Sequence, residues 1–268
     1  MGTASTALLE VPPAGGRTWN RRKTMNHEYF IDRLYSVLVT GDRREARRVV
    51  QEMDEAGVAA EDRAHEIFWP LVENVGRLYR ADQLSTLAQH YAVRLLRTVI
   101  DAAQASFLQR PSRGRSVLLF CGNSETDELA GQLVADLTEA DGYEVLFGGG
   151  GVAVDEVLEE VGAKRPDVLL MFSSAPGDAP NIRQIIDTIR GVNACPELQI
   201  VVGGGVFNRA EGLAEEIGAD LWARTPRELL DRLGTSPELR ARTGQRTVGR
   251  TRRAIATPAG SRAATAAA

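Results

Sequence analysis

Cysteines are few in this chain of 268 residues, and long apolar runs are missing. Two cysteines, Cys121 and Cys195, are too few for a disulfide framework, so a cytoplasmic location is expected. No apolar run approaches the roughly 20 residues that cross a bilayer, and residues 1–25 lack the apolar core of a signal peptide. The sequence therefore predicts no membrane span. An apolar fraction of 43% and a charged fraction of 25% are ordinary for a soluble protein.

The common nucleotide-binding and catalytic motifs are also absent. No Gly-x-Gly-x-x-Gly follows the first predicted strand, and no glycine-rich loop ends in Lys-Ser or Lys-Thr. Nothing resembles an acid–base or nucleophilic set, because the clustered carboxylates Glu125, Asp127 and Glu128 are explained equally well by a helix-capping turn. We therefore predict a protein that is not an enzyme and has no metal site of its own.

Basic residues are concentrated at the two ends of the chain. In residues 1–25 four basic side chains stand against Glu10, and after Thr235 seven arginines stand against Glu238. Both ends are low in complexity and cannot bury enough apolar surface to offset their ordering entropy, so we predict disorder for residues 1–25 and 236–268. The basic tail allows a weak contact with nucleic acid, although such tails are more often solubilising extensions.

The pattern is helical from residue 26 to residue 109. Phe30, Leu34, Val37 and Leu38 recur at the spacing that places apolar side chains on one face of a helix. Three further amphipathic segments follow, separated by short connections. Four such helices predict a small helical bundle, the cap domain.

A linker at 110–115 separates the bundle from an alternating pattern of strands and helices over 116–235. The predicted strands are the apolar runs 116–120, 143–147, 167–172, 198–202 and 220–223. Strands that alternate with helices at this spacing predict an α/β domain with a five-stranded parallel sheet. Ligands of such sheets bind beyond the carboxyl ends of the strands.

The loops at those strand ends are rich in glycine. They read "CGNSETDE" (121–128), "GGGG" (148–151), "SSAPGD" (173–178) and "GGG" (203–205). Glycines let a bulky ligand lie close to the backbone. Tight turns alone would explain one glycine-rich loop, but they explain several such loops at the same edge of the sheet less readily. The loops predict a bulky ligand at this edge of the sheet.

Three segments together resemble one known family. They are "LVADLTEADGYEVLFGG" (133–149), "RPDVLLMFSSA" (165–175) and "IVVGGGVFN" (200–208). The sequence is similar over about residues 27–235 to the cobalamin-binding module of methionine synthase, corrinoid methyltransferase proteins and light-responsive cobalamin-dependent repressors. This resemblance implies a four-helix cap followed by a flavodoxin-like, Rossmann-type domain that binds a small-molecule tetrapyrrole.

The resemblance assigns roles to four residues at two strand ends. The family's third strand ends in a serine beside the buried nucleotide tail, so Ser173 takes that role and Ser174 is its neighbour. The family's Gly-Gly motif lines the slot for the base of the tail, which implies the same role for Gly203 and Gly204.

The cap carries a second, looser match. Light-sensing members of the family have a Trp, nine further residues and then Glu-His on helices that face the upper side of the corrin. Here Tyr79 is followed after nine residues by Gln89 and His90. The resemblance implies cofactor contacts for these three residues. Taken alone, His90 is equally explained as a surface or core histidine, and Tyr79 as core packing.

The first loop departs from the family at the ligand that lies below cobalt. The family has an acidic residue, any residue, a histidine, two more residues and a glycine, and the histidine binds cobalt. Here Glu125 keeps the acidic position, Asp127 stands in place of the histidine and Ala130 in place of the glycine. The other histidines, His27 and His65, lie elsewhere. A carboxylate is a poor substitute for imidazole at cobalt, so the departure argues against a carrier role without excluding corrinoid binding.

The missing histidine leaves several cofactors open. Cobalamin, as adenosylcobalamin, is the first candidate, and biliverdin or haem on the same fold is the alternative. Cys121 ends the first strand, where its thiolate could add to a bilin or bind haem iron. It is otherwise a small buried apolar side chain.

The predicted function is a tetrapyrrole-binding sensor, most specifically a photoreceptor, with the ligand between the cap and the glycine-rich loops. Since only about 25 residues precede the cap, its output is expected through an unknown protein partner, a homo-oligomer or the basic tail. The alternatives are a corrinoid carrier for a methyltransferase and a degenerate module that binds only protein.

Overall fold

The computed structural model describes residues 16–241, with side chains from residue 27 onward. Its N-terminal part contains four helices, the third of which is made of three consecutive segments. They are α1 (Gly16–Thr40), α2 (Arg43–Glu55), then α3 (Ala60–Arg63), a π-helical turn (Ala64–Phe68) and α4 (Trp69–Arg80), and finally α5 (Thr86–Gln104). The predicted helical bundle is confirmed. Helix α1 begins at Gly16, inside the segment predicted to be disordered, and residues 1–15 lie outside the described part.

Pro70 lies at the start of α4, the cap helix that contacts the sheet. Pro70 has no N–H and cannot donate the backbone hydrogen bond that an α-helix needs at that position. The chain widens into the π-helical turn directly before Trp69 and Pro70, which begin α4. This irregularity places Trp69 on the buried side of the cap, where it is 3% exposed.

The C-terminal part is an α/β domain with a five-stranded parallel sheet. The strands are β1 (Ser116–Cys121), β2 (Glu144–Gly150), β3 (Val168–Phe172), β4 (Gln199–Gly203) and β5 (Leu221–Ala223). The helices are α6 (Glu125–Ala140), α7 (Val154–Lys164), α8 (Ala179–Val192), α9 (Gly205–Arg209), α10 (Leu213–Glu216) and α11 (Pro226–Thr235). The strand order β2-β1-β3-β4-β5 confirms the predicted flavodoxin-like fold. Among residues 16–241, no helix is both long and apolar enough to span a bilayer.

Two apolar cores lie on the two faces of the sheet. Alternate strand residues point to opposite faces, so Leu119 and Phe172 lie on one side while Phe120 and Met171 lie on the other. The first side packs against α6, α11 and the cap in one continuous core. The second packs against α7 and α8. The cap therefore rests directly on the α/β domain.

The first residues of the predicted tail lie against the edge of the sheet. Gln199 Nε2 donates a hydrogen bond to the Ser236 carbonyl oxygen at 2.9 Å. The Ala241 N–H donates to Asp220 Oδ1 at 2.7 Å. The structure thus places residues 236–241 on the domain, and residues 242–268 lie outside the described part.

A partly buried carboxyl near the cap makes stability depend on pH. Burial, and then the charges of Asp101 and Glu139, raise the pKa of Asp136 on α6 to about 6, and its Oδ2 has no hydrogen-bond partner among the described residues. The folded protein therefore holds this proton more tightly than the unfolded chain does, and stability falls as pH rises from about 4 to about 6.

We expect Asp136→Asn to remove this penalty. Below about pH 4 the variant and the wild type should have the same free energy of unfolding. At pH 7 the free energy of unfolding of the variant should be greater by about 1–2 kcal/mol, a value reduced from the full pKa shift because Asp136 is partly exposed. Urea unfolding over a pH series measures the difference, with the exposed Glu159→Gln on α7 as control. A difference that stays constant with pH would contradict this prediction.

Candidate functional site

The ends of β3 and β4 bring together the four residues that the sequence assigned to a tail slot. The Ser173 N–H donates to the Gly203 carbonyl oxygen at 3.0 Å, and the Val206 N–H donates to the Ser173 carbonyl oxygen at 3.2 Å. Gly204 has a φ of +99°, a conformation that L side chains rarely adopt. The backbone is therefore tightly packed at this point.

A narrow slot opens between these strand ends, and a cap residue closes it. Phe172, Gly203, Gly204 and Leu229 line the slot, which we call the β3–β4 slot, and Trp69 covers it. The Trp69 and Phe172 ring centroids lie 5.9 Å apart with their planes at 77°. The free volume is about 20 Å³, room for about one water molecule. Trp69 is not among the residues predicted from the sequence, because a buried Trp on a cap helix is typical of core packing.

Asp127, which stands where the family has histidine, is an interior residue. It is 1% exposed, and the Ser174 hydroxyl donates a hydrogen bond to its Oδ1. Its Oδ2 has no hydrogen-bond partner among the described residues. Burial raises the pKa of Asp127 above its usual value, and the nearby charge of Asp178 contributes to the same shift. The carboxyl is therefore held against the sheet by a serine.

The neighbouring serine holds a second carboxylate. The Ser173 hydroxyl donates to Asp178 Oδ2 at 2.6 Å. A Cβ placed on Gly122 would lie 2.6 Å from Asp127 Oδ2 and 2.8 Å from Asp178 Oδ2, so both carboxyl groups converge on this glycine. Ser173 and Ser174 thus each position an aspartate, a role that the sequence did not indicate.

Two other predicted site residues have surroundings that limit their chemistry. Glu125 is exposed, and its Oε1 lies 3.9 Å from an Arg94 side-chain nitrogen, a contact typical of a surface ion pair. Burial, and then the charges of Asp127 and other nearby carboxylates, raise the pKa of the Cys121 thiol to about 12. The thiol is protonated at neutral pH, which disfavours the thiolate that a bilin adduct or haem ligation would require.

Two larger cavities flank the strand ends. The interdomain cavity, of about 370 Å³, lies between α4 and the α/β domain, and its lining includes Gly76, Arg77, Arg80, Thr126, Ser174 and Arg209. The strand-end cavity, of about 410 Å³, lies on the α7–α8 side, and its lining includes Cys121, Asn123, Gly151, Ser173, Asp178 and Ile182.

The three cap residues predicted from spacing lie in different surroundings. Gln89 is 5% exposed, and its Nε2 donates to Thr126 Oγ1 at 3.3 Å, which joins α5 to the first turn of α6. Tyr79 is 37% exposed and His90 is half-buried. Neither lines the β3–β4 slot or the two larger cavities. Of the three residues, only Gln89 contacts the first turn of α6.

Part of the glycine-rich rim is explained by backbone packing. The register between β1 and β2 shifts after Leu119, so that Phe120 pairs with Gly149 and Gly148 is left as a bulge. A Cβ on Gly148 would lie 2.7 Å from a Phe120 ring carbon, and one on Gly150 would lie 3.0 Å from the Gly122 carbonyl carbon. For this loop, packing is a sufficient reason for glycine.

The residues present fit a tetrapyrrole in one respect and not in another. The β3–β4 slot has glycine and aromatic walls that suit a flat ring, but its free volume of about 20 Å³ is too small for one in this structure. The first turn of α6 beside it offers the buried carboxyl of Asp127 where the family has an imidazole. Within residues 27–241, no three His, Cys, Asp or Glu side chains are grouped to hold a metal ion.

Known proteins match both halves of the chain. A protein-family model described as a B12 binding domain matches residues 115–231, and a second family model with the same description matches residues 30–104. The chain is 22% identical over 218 residues to monomethylamine corrinoid protein 1 of Methanosarcina mazei, covering 76% of this chain and 95% of that protein. The solved monomethylamine corrinoid protein of Methanosarcina barkeri has a TM-score of 0.66 at 17% identity, covering 76% of this chain and 97% of that one.

Proposed function

This chain belongs to the cobalamin-binding module family, and from that premise we propose that it holds a corrinoid between its cap and the ends of β3 and β4. One observation carries the proposal. Gly203 and Gly204 line a slot that Trp69 of the cap also lines, and the backbone of Ser173 packs against both glycines. A corrinoid tail would lie against the glycines once the indole moves.

The role that this proposal favours is a corrinoid carrier that works with a methyltransferase, the alternative that the replacement of histidine by Asp127 argued against. Support comes from the similarity to a monomethylamine corrinoid protein over 95% of that protein's length. When bound, a corrinoid supplies a cobalt that accepts and releases a methyl group. The residues of this chain would exclude water from the slot through Trp69, and Asp127, whose carboxyl accepts a hydrogen bond from Ser174, would offer no imidazole to the metal.

A sensory role is the second candidate, and one contact favours it. Gln89 of the cap hydrogen-bonds directly to Thr126, and the cap shares its core with the sheet. A ligand that enters between them must separate the two, so occupancy would change how the cap packs. The relatives give no support to the predicted photoreceptor, and biliverdin, haem and adenosylcobalamin specifically stay predictions.

Blocking the β3–β4 slot tests the proposed site. A Cβ on Gly203 would lie 3.5 Å from the Ala223 carbonyl oxygen and 3.8 Å from the Phe172 ring, so it fits, and the remainder of a leucine would fill the slot. We expect Gly203→Leu to weaken cobalamin binding by at least about 100-fold, the effect of about 2.8 kcal/mol of lost contact. Absorption titration and calorimetry measure the affinity.

The matched control is Gly162→Leu on α7, where a Cβ would meet nothing within 4 Å. This variant should bind as the wild type does. A wild-type protein that binds no cobalamin would overturn the proposal, and parallel titrations with biliverdin and haem would then identify the alternative. Size-exclusion chromatography of the loaded protein in darkness and in light separates carrier from photoreceptor, because a carrier should elute identically in both.

A further inference from the structure

The interdomain cavity has an uneven charge. Three arginines line it, Arg77 and Arg80 from α4 and Arg209 from α9, whereas Glu73 is the one acidic residue in its lining. Among the described residues, Arg77 donates to Asn74 Oδ1 at 2.7 Å and Arg209 donates to a backbone carbonyl oxygen at 2.6 Å. Both partners are neutral.

Arg80 and Arg209 reach the cavity from opposite walls. A Cβ on Gly76 would lie 3.1 Å from Arg80 Nη1, and one on Gly205 would lie 2.7 Å from Arg209 Nη1. Each guanidinium therefore lies against the backbone at a glycine, one in the cap and one in the α/β domain. Burial lowers the pKa of Arg80, and the positive charge of Arg209 lowers it further, while the nearby carboxyls of Asp127 and Glu73 only partly offset this shift.

This arrangement differs from that of three arginines on the surface helices. Arg48, Arg183 and Arg232 each pair with a carboxylate four residues away on their own helix. Within residues 27–241 neither Arg80 nor Arg209 has such an ion pair. Three guanidinium groups line this cavity against the single carboxylate of Glu73, so an anion that binds there would relieve the repulsion between Arg80 and Arg209.

We propose that the interdomain cavity binds an anionic oxygen group of the corrinoid, a phosphate or a carboxylate, with Arg80 and Arg209 as its counter-ions. A guanidinium presents a planar pair of donors that matches either group. The proposal rests on the proposed function. It adds that the protein distinguishes corrinoids by charge, because amide side chains are neutral whereas a nucleotide tail carries a phosphate and an unamidated side chain carries a carboxylate.

Three corrinoids separate the two sources of the anion. Cobalamin carries the phosphate, cobinamide lacks it, and cobyric acid has a free carboxylate where cobinamide has a neutral amide. Each is titrated into the wild type, the double variant Arg80→Gln/Arg209→Gln and the control Arg183→Gln. Circular dichroism checks that every variant is folded.

The double variant should weaken the binding of cobalamin, of cobyric acid or of both by about tenfold or more, and should bind cobinamide as the wild type does. Raising salt from about 50 to about 500 mM should weaken the same complexes in the wild type only. Loss for cobalamin alone identifies the phosphate, and loss for cobyric acid alone identifies the carboxylate.

Equal affinities of wild type and double variant for all three corrinoids would overturn this inference and leave the proposed function standing. An equal loss for all three, including cobinamide, would also overturn it, because the arginines would then contribute only packing. A wild-type protein that binds none of the three would overturn the proposed function and the inference with it.

Discussion

Replacing Trp69 with alanine should lower the free energy of unfolding by about 3–5 kcal/mol, the usual loss for a large buried aromatic side chain. Trp69 is 3% exposed, packs edge-on against Phe172 and closes the β3–β4 slot. Its removal leaves a cavity at the contact between cap and sheet, where one core continues from one to the other. Urea unfolding monitored by circular dichroism measures the loss.

Trp69→Phe is the matched variant. It keeps an aromatic ring over Phe172 and should lose less than half as much stability, because most of the apolar contact remains. A loss below about 1 kcal/mol for Trp69→Ala would mean that the cap does not rest on the sheet in solution. The alanine variant should also bind cobalamin more tightly than the wild type, since fewer contacts oppose the opening of the slot.

Gly204→Ala should be the most damaging single-methyl change at the strand ends, with a loss of about 3 kcal/mol or more. Gly204 has a φ of +99°, which already strains any L residue. Its new Cβ would lie 2.8 Å from the carbonyl carbon of Ser173 and 2.9 Å from the Ser173 nitrogen. These are backbone atoms, paired to Gly203 and Val206, so they have little freedom to move.

The control for this change is Gly191→Ala on α8, where a Cβ would meet nothing within 4 Å. Alanine has the higher helix propensity, so this variant should be unchanged or more stable by up to about 1 kcal/mol. A similar small effect for Gly204→Ala, seen as an unchanged urea midpoint, would show that the β4–α9 turn is not built as described.

Spacing along a helix does not by itself determine which way the side chains of adjacent residues face. Tyr79, Gln89 and His90 match a family spacing, but neighbouring helical residues point about 100° apart, so Gln89 and His90 cannot both face α6. The structure turns Gln89 toward Thr126. On α4 the residues that line the interdomain cavity include Gly76 and Arg80, and Tyr79 lies off that face.

The positions of Ser173 and Gly203 at the strand ends follow from local signals in the sequence. Ser173 follows one buried apolar run, and Gly203 ends another. The carboxyl ends of parallel strands lie at one edge of a sheet, so the two residues are expected close together. Their hydrogen-bond partners were not predictable in the same way. Ser174 and Asp127 are 47 residues apart in sequence, and no local pattern indicates that a hydroxyl of one loop holds the carboxyl of another.

The sequence by itself determined the helical cap, the five parallel strands, the glycines at the end of β4 and the replacement of a histidine by Asp127, because periodicity and residue identity are local properties. Only the tertiary structure decided that Trp69 closes the slot, that Arg80 and Arg209 face one cavity, and that the pKa of the Cys121 thiol rises to about 12. Burial and electric field depend on which distant segments pack together, and that packing exists only once the cap rests on the sheet.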